Sequence, residues 1–236
     1  MRLIHSRLRK SAEHKRLFIL AATEWLDRLL RGRDLPRAGA IRNRLLTLVT
    51  AGTLYGAIMG SYGGITPDRW TQMAFSAVKV PLLLSATFCL SVPFFFVLNT
   101  LLGLRGDFGE SFAALAGAQA ALTLILASLA PLTMLWYASG FGYSNAILFN
   151  AFMFAVASIG GQLDLRRSYR SLIARRAAHR WMQFAWLTIF AFVGIQMGWV
   201  MRPFLGDPAL PTRFFRTGAM NNAYVVIARM IFSAVR

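Results

Sequence analysis

The chain is short of acid. Nine Asp and Glu stand against 26 Lys and Arg, a formal net charge of +17 over 236 residues. It has one cysteine, Cys89, inside an apolar run, so no intramolecular disulfide can form and no thiolate metal cluster is available. Its histidines, His5, His14 and His179, are far apart and lie in basic surroundings. The sequence contains no HExxH, no GxSxG and no Walker-type phosphate loop. These gaps argue against catalysis, and no cofactor or metal ion is expected. The opening MRLIHSRLRK lacks the apolar core and small-residue cleavage site of a secretory signal, so it reads as retained.

What the chain has in quantity is apolar surface. Hydrophobic residues make up 56% of it and the mean hydropathy is +0.51, whereas an ordinary soluble domain is roughly 45–50% apolar even with glycine counted. Five runs, at about 45–63, 80–102, 113–136, 143–161 and 182–201, approach the length that a helix needs to cross the hydrocarbon core. The expected fold is all-α, a polytopic transmembrane helical bundle with five spans, or six if the last segment crosses. Residues 13–31 place Phe18, Ala22, Trp25 and Leu29 on one face of an amphipathic helix too polar to span. The stretch WTQMAFSAVK, 70–79, reads as an interfacial lead into Pro81. Residues 219–236 have a short apolar core interrupted by Arg229 and read as an interfacial or re-entrant helix, with a sixth span as the alternative. The chain thus divides into a basic amphipathic segment (1–44), a five-span domain (45–201) and a Pro/Arg/Phe loop followed by a short helix (202–236).

The basic residues fall into two blocks, twelve within residues 1–44 and six within 165–180. With a cytoplasmic N-terminus, that side receives 19 basic residues and the other side 7, the orientation that the positive-inside rule favours. Only Lys10, Lys15 and Lys79 are lysine. This bias suggests a GC-rich bacterial genome, and hence a bacterial inner membrane. Topology accounts for the charge, and no nucleic-acid partner is expected. Arg166, Arg167, Arg170, Arg175 and Arg176 form a basic cluster next to a span and favour anionic lipid at about 1 kcal/mol each. The Trp25 face of the N-terminal helix suits lipid or a neighbouring subunit. The loop RPFLGDPALPTRFFR presents Arg213 and Arg216 beside Phe214 and Phe215, a composition for docking a partner, binding a lipid headgroup or anchoring at the interface.

None of the five runs holds an Asp, Glu or His well inside, which argues against a self-sufficient proton-driven carrier. Asp164, at a span end beside Arg166 and Arg167, reads as an interfacial salt bridge. Asn99, Gln119, Asn145, Asn150 and Gln196 are the intramembrane amides. Such groups tie neighbouring helices together at roughly 0.6–2 kcal/mol each, or line a polar path. Pro93 and Pro131 are expected to kink their helices. In GLRGDFGE, 103–110, Asp107 or Glu110 suits the N-terminus of the next helix. In GTLYGAIMGSYGG, the glycines Gly52, Gly56 and Gly60 recur every fourth residue and form a shallow groove for close helix approach. The occupant of that groove, a helix of the same bundle or of another subunit, is open from sequence. Gly63-Gly64 reads as the helix stop.

The five-span order, the glycine-marked first span and FGYSNAILF at 141–149 resemble the Yip-type family of small polytopic membrane proteins. The resemblance implies five spans with a cytoplasmic N-terminus. Residues 32–44, GRDLPRAGAIRNR, do not show the acidic-aromatic motif of eukaryotic members, and no functional residue carries over. The leading functional expectation is a non-catalytic integral membrane subunit or scaffold that assembles with other membrane proteins. The alternative is a transporter or channel component whose path passes Asn99, Gln119, Asn145 and Asn150. A third is a membrane enzyme acting on lipid with His179 or Asp164 at the cytoplasmic surface, which requires a headgroup-sized cleft there.

Overall fold

The computed structural model describes residues 37–207, 210–216 and 223–225. Among them the chain is helical, and six helices follow one another. These are α1 (Arg37–Gly60), α2 (Trp70–Leu101), α3 (Phe108–Ser128), α4 (Ala130–Ala138), α5 (Tyr143–Arg175) and α6 (His179–Met201). Short 3-10 turns, Pro67–Arg69 and Arg105–Asp107, lead into α2 and α3. Helix is the form in which a chain buried in hydrocarbon satisfies its own N–H and C=O groups.

Four stretches are long and apolar enough to cross a membrane: Trp70–Leu101, Arg105–Ala138, Tyr143–Arg175 and His179–Met201. The first predicted run, 45–63, is not one of them. Its helix, α1, takes in Arg42, Asn43 and Arg44 at one end and stops at Gly60, short of the end of the apolar run. The predicted N-terminal amphipathic helix with Trp25 lies outside the described residues. Of the predicted C-terminal segment, only the helical turn Ala223–Val225 is described.

Two helices exceed their predicted runs. The polar lead 70–79 is continuous with α2, which runs 32 residues through Pro81 and Pro93. At a rise of about 1.5 Å per residue this is roughly 48 Å, against about 30 Å of hydrocarbon. The basic stretch after residue 161 is likewise helix as far as Arg175, so only residues 176–178 separate α5 from α6. Pro131 does break its helix. It sits in the first turn of α4, where the missing N–H is least harmful, and the chain turns at Leu129.

Helix α3 packs along α5, α2 packs along α6, and α5 also touches α6. The apolar core has two layers. One gathers Leu48, Tyr55 and Met59 of α1 with Val80, Leu84, Leu122, Leu126, Met153 and Leu205. The other gathers Phe95, Leu115, Leu165, Tyr169, Leu172, Met182 and Trp186.

The glycine stripe of α1 faces the first half of α2. A Cβ on Gly56 would collide with the carbonyl oxygen of Ser76, and one on Gly60 would lie 2.6 Å from the Cα of Met73. At Gly52 it would meet Pro81 Cβ at 3.2 Å, a tight contact that asks for a shift of only a few tenths of an ångström. The neighbours at Gly56 and Gly60 are backbone and cannot rotate away. A similar approach brings Gly161 of α5 against α3, where a Cβ would lie 3.0 Å from the Ala118 carbonyl oxygen.

Gly56→Ala should therefore destabilise the bundle by about 1–3 kcal/mol, the usual cost of overpacking, and Gly52→Ala by distinctly less. Thermal unfolding of both variants in mild detergent checks this. Equal midpoints would show that the α1–α2 approach is not limiting.

Candidate functional site

The polar side chains of the bundle gather at its two ends. At the first, the loop that follows α6 folds back against the start of α2. Four side chains spaced along one face of that segment, Arg69, Gln72, Ser76 and Lys79, donate to its carbonyls. Arg69 Nη2 reaches the Gly206 oxygen at 2.7 Å. Gln72 Nε2 reaches the Phe204 oxygen at 3.0 Å, and the Ser76 hydroxyl donates to the same oxygen. Lys79 Nζ donates to the Pro203 oxygen at 2.7 Å. The spacing of three, four and three is that of one helical face, so the polar residues of WTQMAFSAVK are directed at a loop. Gly63, at φ +87°, lets the Arg69 guanidinium lie against its backbone, where a Cβ would come within 3.0 Å of Cζ.

Lys79, one of the seven basic residues counted on the side opposite the N-terminus, is 0% exposed. Its ammonium lies 4.8 Å from the centre of the Phe214 ring and forms no salt bridge among the described residues. A buried ammonium is stable only when its donors are engaged, and here a carbonyl and an aromatic face engage it. The signal was a lysine in step with Gln72 and Ser76. Its partner is a backbone oxygen, which carries no mark in a sequence.

Beside this clasp is a cavity of about 240 Å³ lined by Gln72, Tyr143, Gly206, Asp207, Arg213 and Arg216, among others. Tyr143 donates to the Leu205 oxygen at 3.1 Å and stiffens the wall. Of the predicted contact residues, Arg213 and Arg216 line this cavity. Phe214 turns inward onto Lys79 and Phe75, and Phe215 is exposed. Arg202 stacks over Trp199, its guanidinium 3.3 Å from the ring centre. Burial, and then repulsion from Arg216, hold the Arg202 guanidinium below its usual value. The first end is thus crowded with cations, and Asp207 is the carboxylate there among residues whose side chains are described.

At the second end the turn before α3 meets the start of α6. His179, 0% exposed, places Nε2 3.0 Å from Asp107 Oδ2 and its ring edge-on to Tyr169. Arg175 pairs with Glu110 and lies 3.8 Å from Asp107, while Arg176 donates to the Gly103 oxygen at 3.0 Å. Arg44 of α1 donates to the Ala113 oxygen at 2.7 Å. Asp107 does stand at the helix N-terminus, as expected, but its carboxylate turns to His179 and makes no cap bond. Two of the five predicted basic residues, Arg175 and Arg176, bind this turn, and Arg166, Arg167 and Arg170 are exposed.

The amides do not meet. Asn99 donates to the Leu104 oxygen at 3.2 Å, and Gln119 makes a long contact of 3.4 Å with the Leu84 oxygen. Asn145 is exposed, and Gln196 accepts from the Ala223 N–H at 3.0 Å. Asn150 is the most engaged. It accepts from the Tyr55 hydroxyl at 3.1 Å and donates at 2.7 Å to both the Tyr137 oxygen and the Ala146 carbonyl. His179 faces the Asp107 turn and presents no surface. Among the described residues no His, Cys, Asp and Glu group has the arrangement of a metal site.

Removing both donors to the Phe204 carbonyl, as Gln72→Leu with Ser76→Ala, should destabilise the chain by about 1–3 kcal/mol, the penalty for a stranded buried acceptor. It should also speed proteolytic cleavage between residues 202 and 207. Unchanged cleavage would mean that the loop is held by its apolar contacts alone. In comparisons with known proteins, no family model, curated protein or solved structure matches this chain.

Proposed function

We propose that the chain is a non-catalytic integral membrane subunit or scaffold that assembles with other membrane proteins. The observation that carries this reading is the dispersal of the intramembrane amides. A conducting path needs polar groups converging on one wet cavity, and here Asn99, Gln119, Asn145 and Asn150 sit apart, three of them engaged by carbonyls or tyrosines of the bundle itself. Groups used in this way tie helices together. The burial of His179 in the same manner supports the subunit reading over a surface enzyme.

In this reading α1 is the first of five spans, because its glycine face lies against α2 and its exposed residues Leu45, Leu46, Val49 and Leu54 are suited to lipid. The N-terminus is cytoplasmic, and the end rich in arginine, with Arg166, Arg167 and Arg170, faces anionic lipid in a bacterial inner membrane. The same topology is what the resemblance to the Yip-type family implies. The Trp25 helix and the C-terminal segment are its amphipathic ends.

Two measurements test the proposal. In a Cys89→Ser background, a cysteine at Thr212 should react with a membrane-impermeant maleimide in intact cells, and one at Arg170 should react only after lysis. The reverse pattern would invert the topology. Purified from its native membrane in mild detergent, the chain should bring down other membrane proteins in fixed proportion. A stable single copy with no companion would overturn the subunit reading.

A further inference from the structure

We propose that the cavity between the start of α2, the start of α5 and the 210–216 segment binds a phosphate-bearing group that also carries a hydrogen-bond donor, the chemistry of phosphoethanolamine. Arg213 and Arg216 line it, and two guanidinium forks suit the oxygens of a phosphate. Behind them, among the described residues, Lys79 is engaged by the Pro203 carbonyl and the Phe214 ring, and Arg202 lies against Trp199, so neither cation meets a carboxylate. An anion seated between the two arginines relieves that accumulation.

The rest of the lining selects what else the ligand has. Asp207 and the amide of Gln72 belong to it, and the Gln72 Oε1 has no hydrogen-bond partner among the described residues. A bare phosphate would meet the Asp207 carboxylate as a like charge. An ammonium carried on the same molecule offsets that repulsion and brings a donor for the Gln72 Oε1. The volume, about 240 Å³, is below the roughly 300–1,000 Å³ of sites for drug-sized ligands, so it admits a headgroup and excludes acyl chains. Around this end the exposed Ile65, Trp70, Phe141, Leu210 and Phe215 form a rim of the kind that sits at headgroup depth. The ligand is either the headgroup of a lipid or the free phosphate ester. The inference rests on the membrane reading but not on the assembly of subunits.

The full chain in mild detergent is equilibrated with mixed micelles of phosphatidylethanolamine or phosphatidylcholine, and separately with soluble phosphoethanolamine, and bound ligand is read by native mass spectrometry. Phosphatidylethanolamine should be retained at least about tenfold over phosphatidylcholine, which has the phosphate and the positive charge but no donor, a difference of about one charge-assisted hydrogen bond. The double substitution Arg213→Gln with Arg216→Gln should abolish the preference. Thr212→Phe, which fills the cavity and keeps every charge, should do the same, and it carries the test if the double variant does not fold. Arg166→Gln with Arg167→Gln should change nothing. Competition by soluble phosphoethanolamine identifies the free ester as the ligand, and its failure with the lipid still retained identifies the lipid. Equal retention of the two lipids, retention that survives both cavity variants, or binding of neither lipid nor free ester overturns the proposal. Loss of companion proteins with headgroup selectivity intact would count against the subunit reading alone.

Discussion

The structure depends on how closely α1 can approach α2 at Gly56 and Ser76. In lipid there is little hydrophobic gain from bringing two apolar helices together, so contact has to come from close packing and from hydrogen bonds. Gly56 supplies the first by leaving room for the Ser76 carbonyl. Ser76 supplies the second, since its hydroxyl holds the Phe204 carbonyl of the loop beyond α6. One residue therefore joins the helix contact on one side to the loop clasp on the other. Gln72 and Lys79 extend the clasp by a turn in each direction.

The two ends of the bundle handle charge in opposite ways. At the end where α3 and α6 begin, arginines meet carboxylates: Arg175 has Glu110 and Asp107, and Asp107 also has His179. At the other end Arg69 and Lys79 are held by neutral carbonyls and by an aromatic ring, and Asp207 lines one cavity with Arg213 and Arg216. Carbonyl dipoles orient and partly solvate a cation but do not neutralise it. Carboxylates thus answer Arg175 and His179 where α3 and α6 begin, while the cations described at the start of α2 lean on neutral groups.

What could be read from the sequence was whatever repeats along it. The glycine stripe was legible because a spacing of four marks one helix face, and the break near Pro131 because proline removes a donor at a fixed place. The apolar runs from residue 80 onward gave the spanning helices. The extents of α2 and α5 were not legible, because Gln72, Ser76 and Arg166 look like interfacial polarity and mark the ends of the apolar runs. The clasp was hidden for a different reason: its acceptors are main-chain oxygens, which every residue possesses. The His179–Asp107 pair joins residues 72 apart, and nothing in either neighbourhood points to the other. The number of spans stayed open because α1 mixes Arg42, Asn43 and Arg44 with its apolar stretch.

Asn150 has a consequence of its own. Apolar helix faces in a bilayer are nearly interchangeable, and a helix can slide along its neighbour by a residue with little change in packing area. The Asn150 side chain reads three elements at once, accepting from Tyr55 on α1, donating to Tyr137 on α4 and closing on its own helix at Ala146. A shift of about 1.5 Å, one residue of rise, is enough to misalign bonds of this kind. A single amide thus fixes the vertical alignment of three helices, in the way that a lone buried asparagine fixes register in a coiled coil.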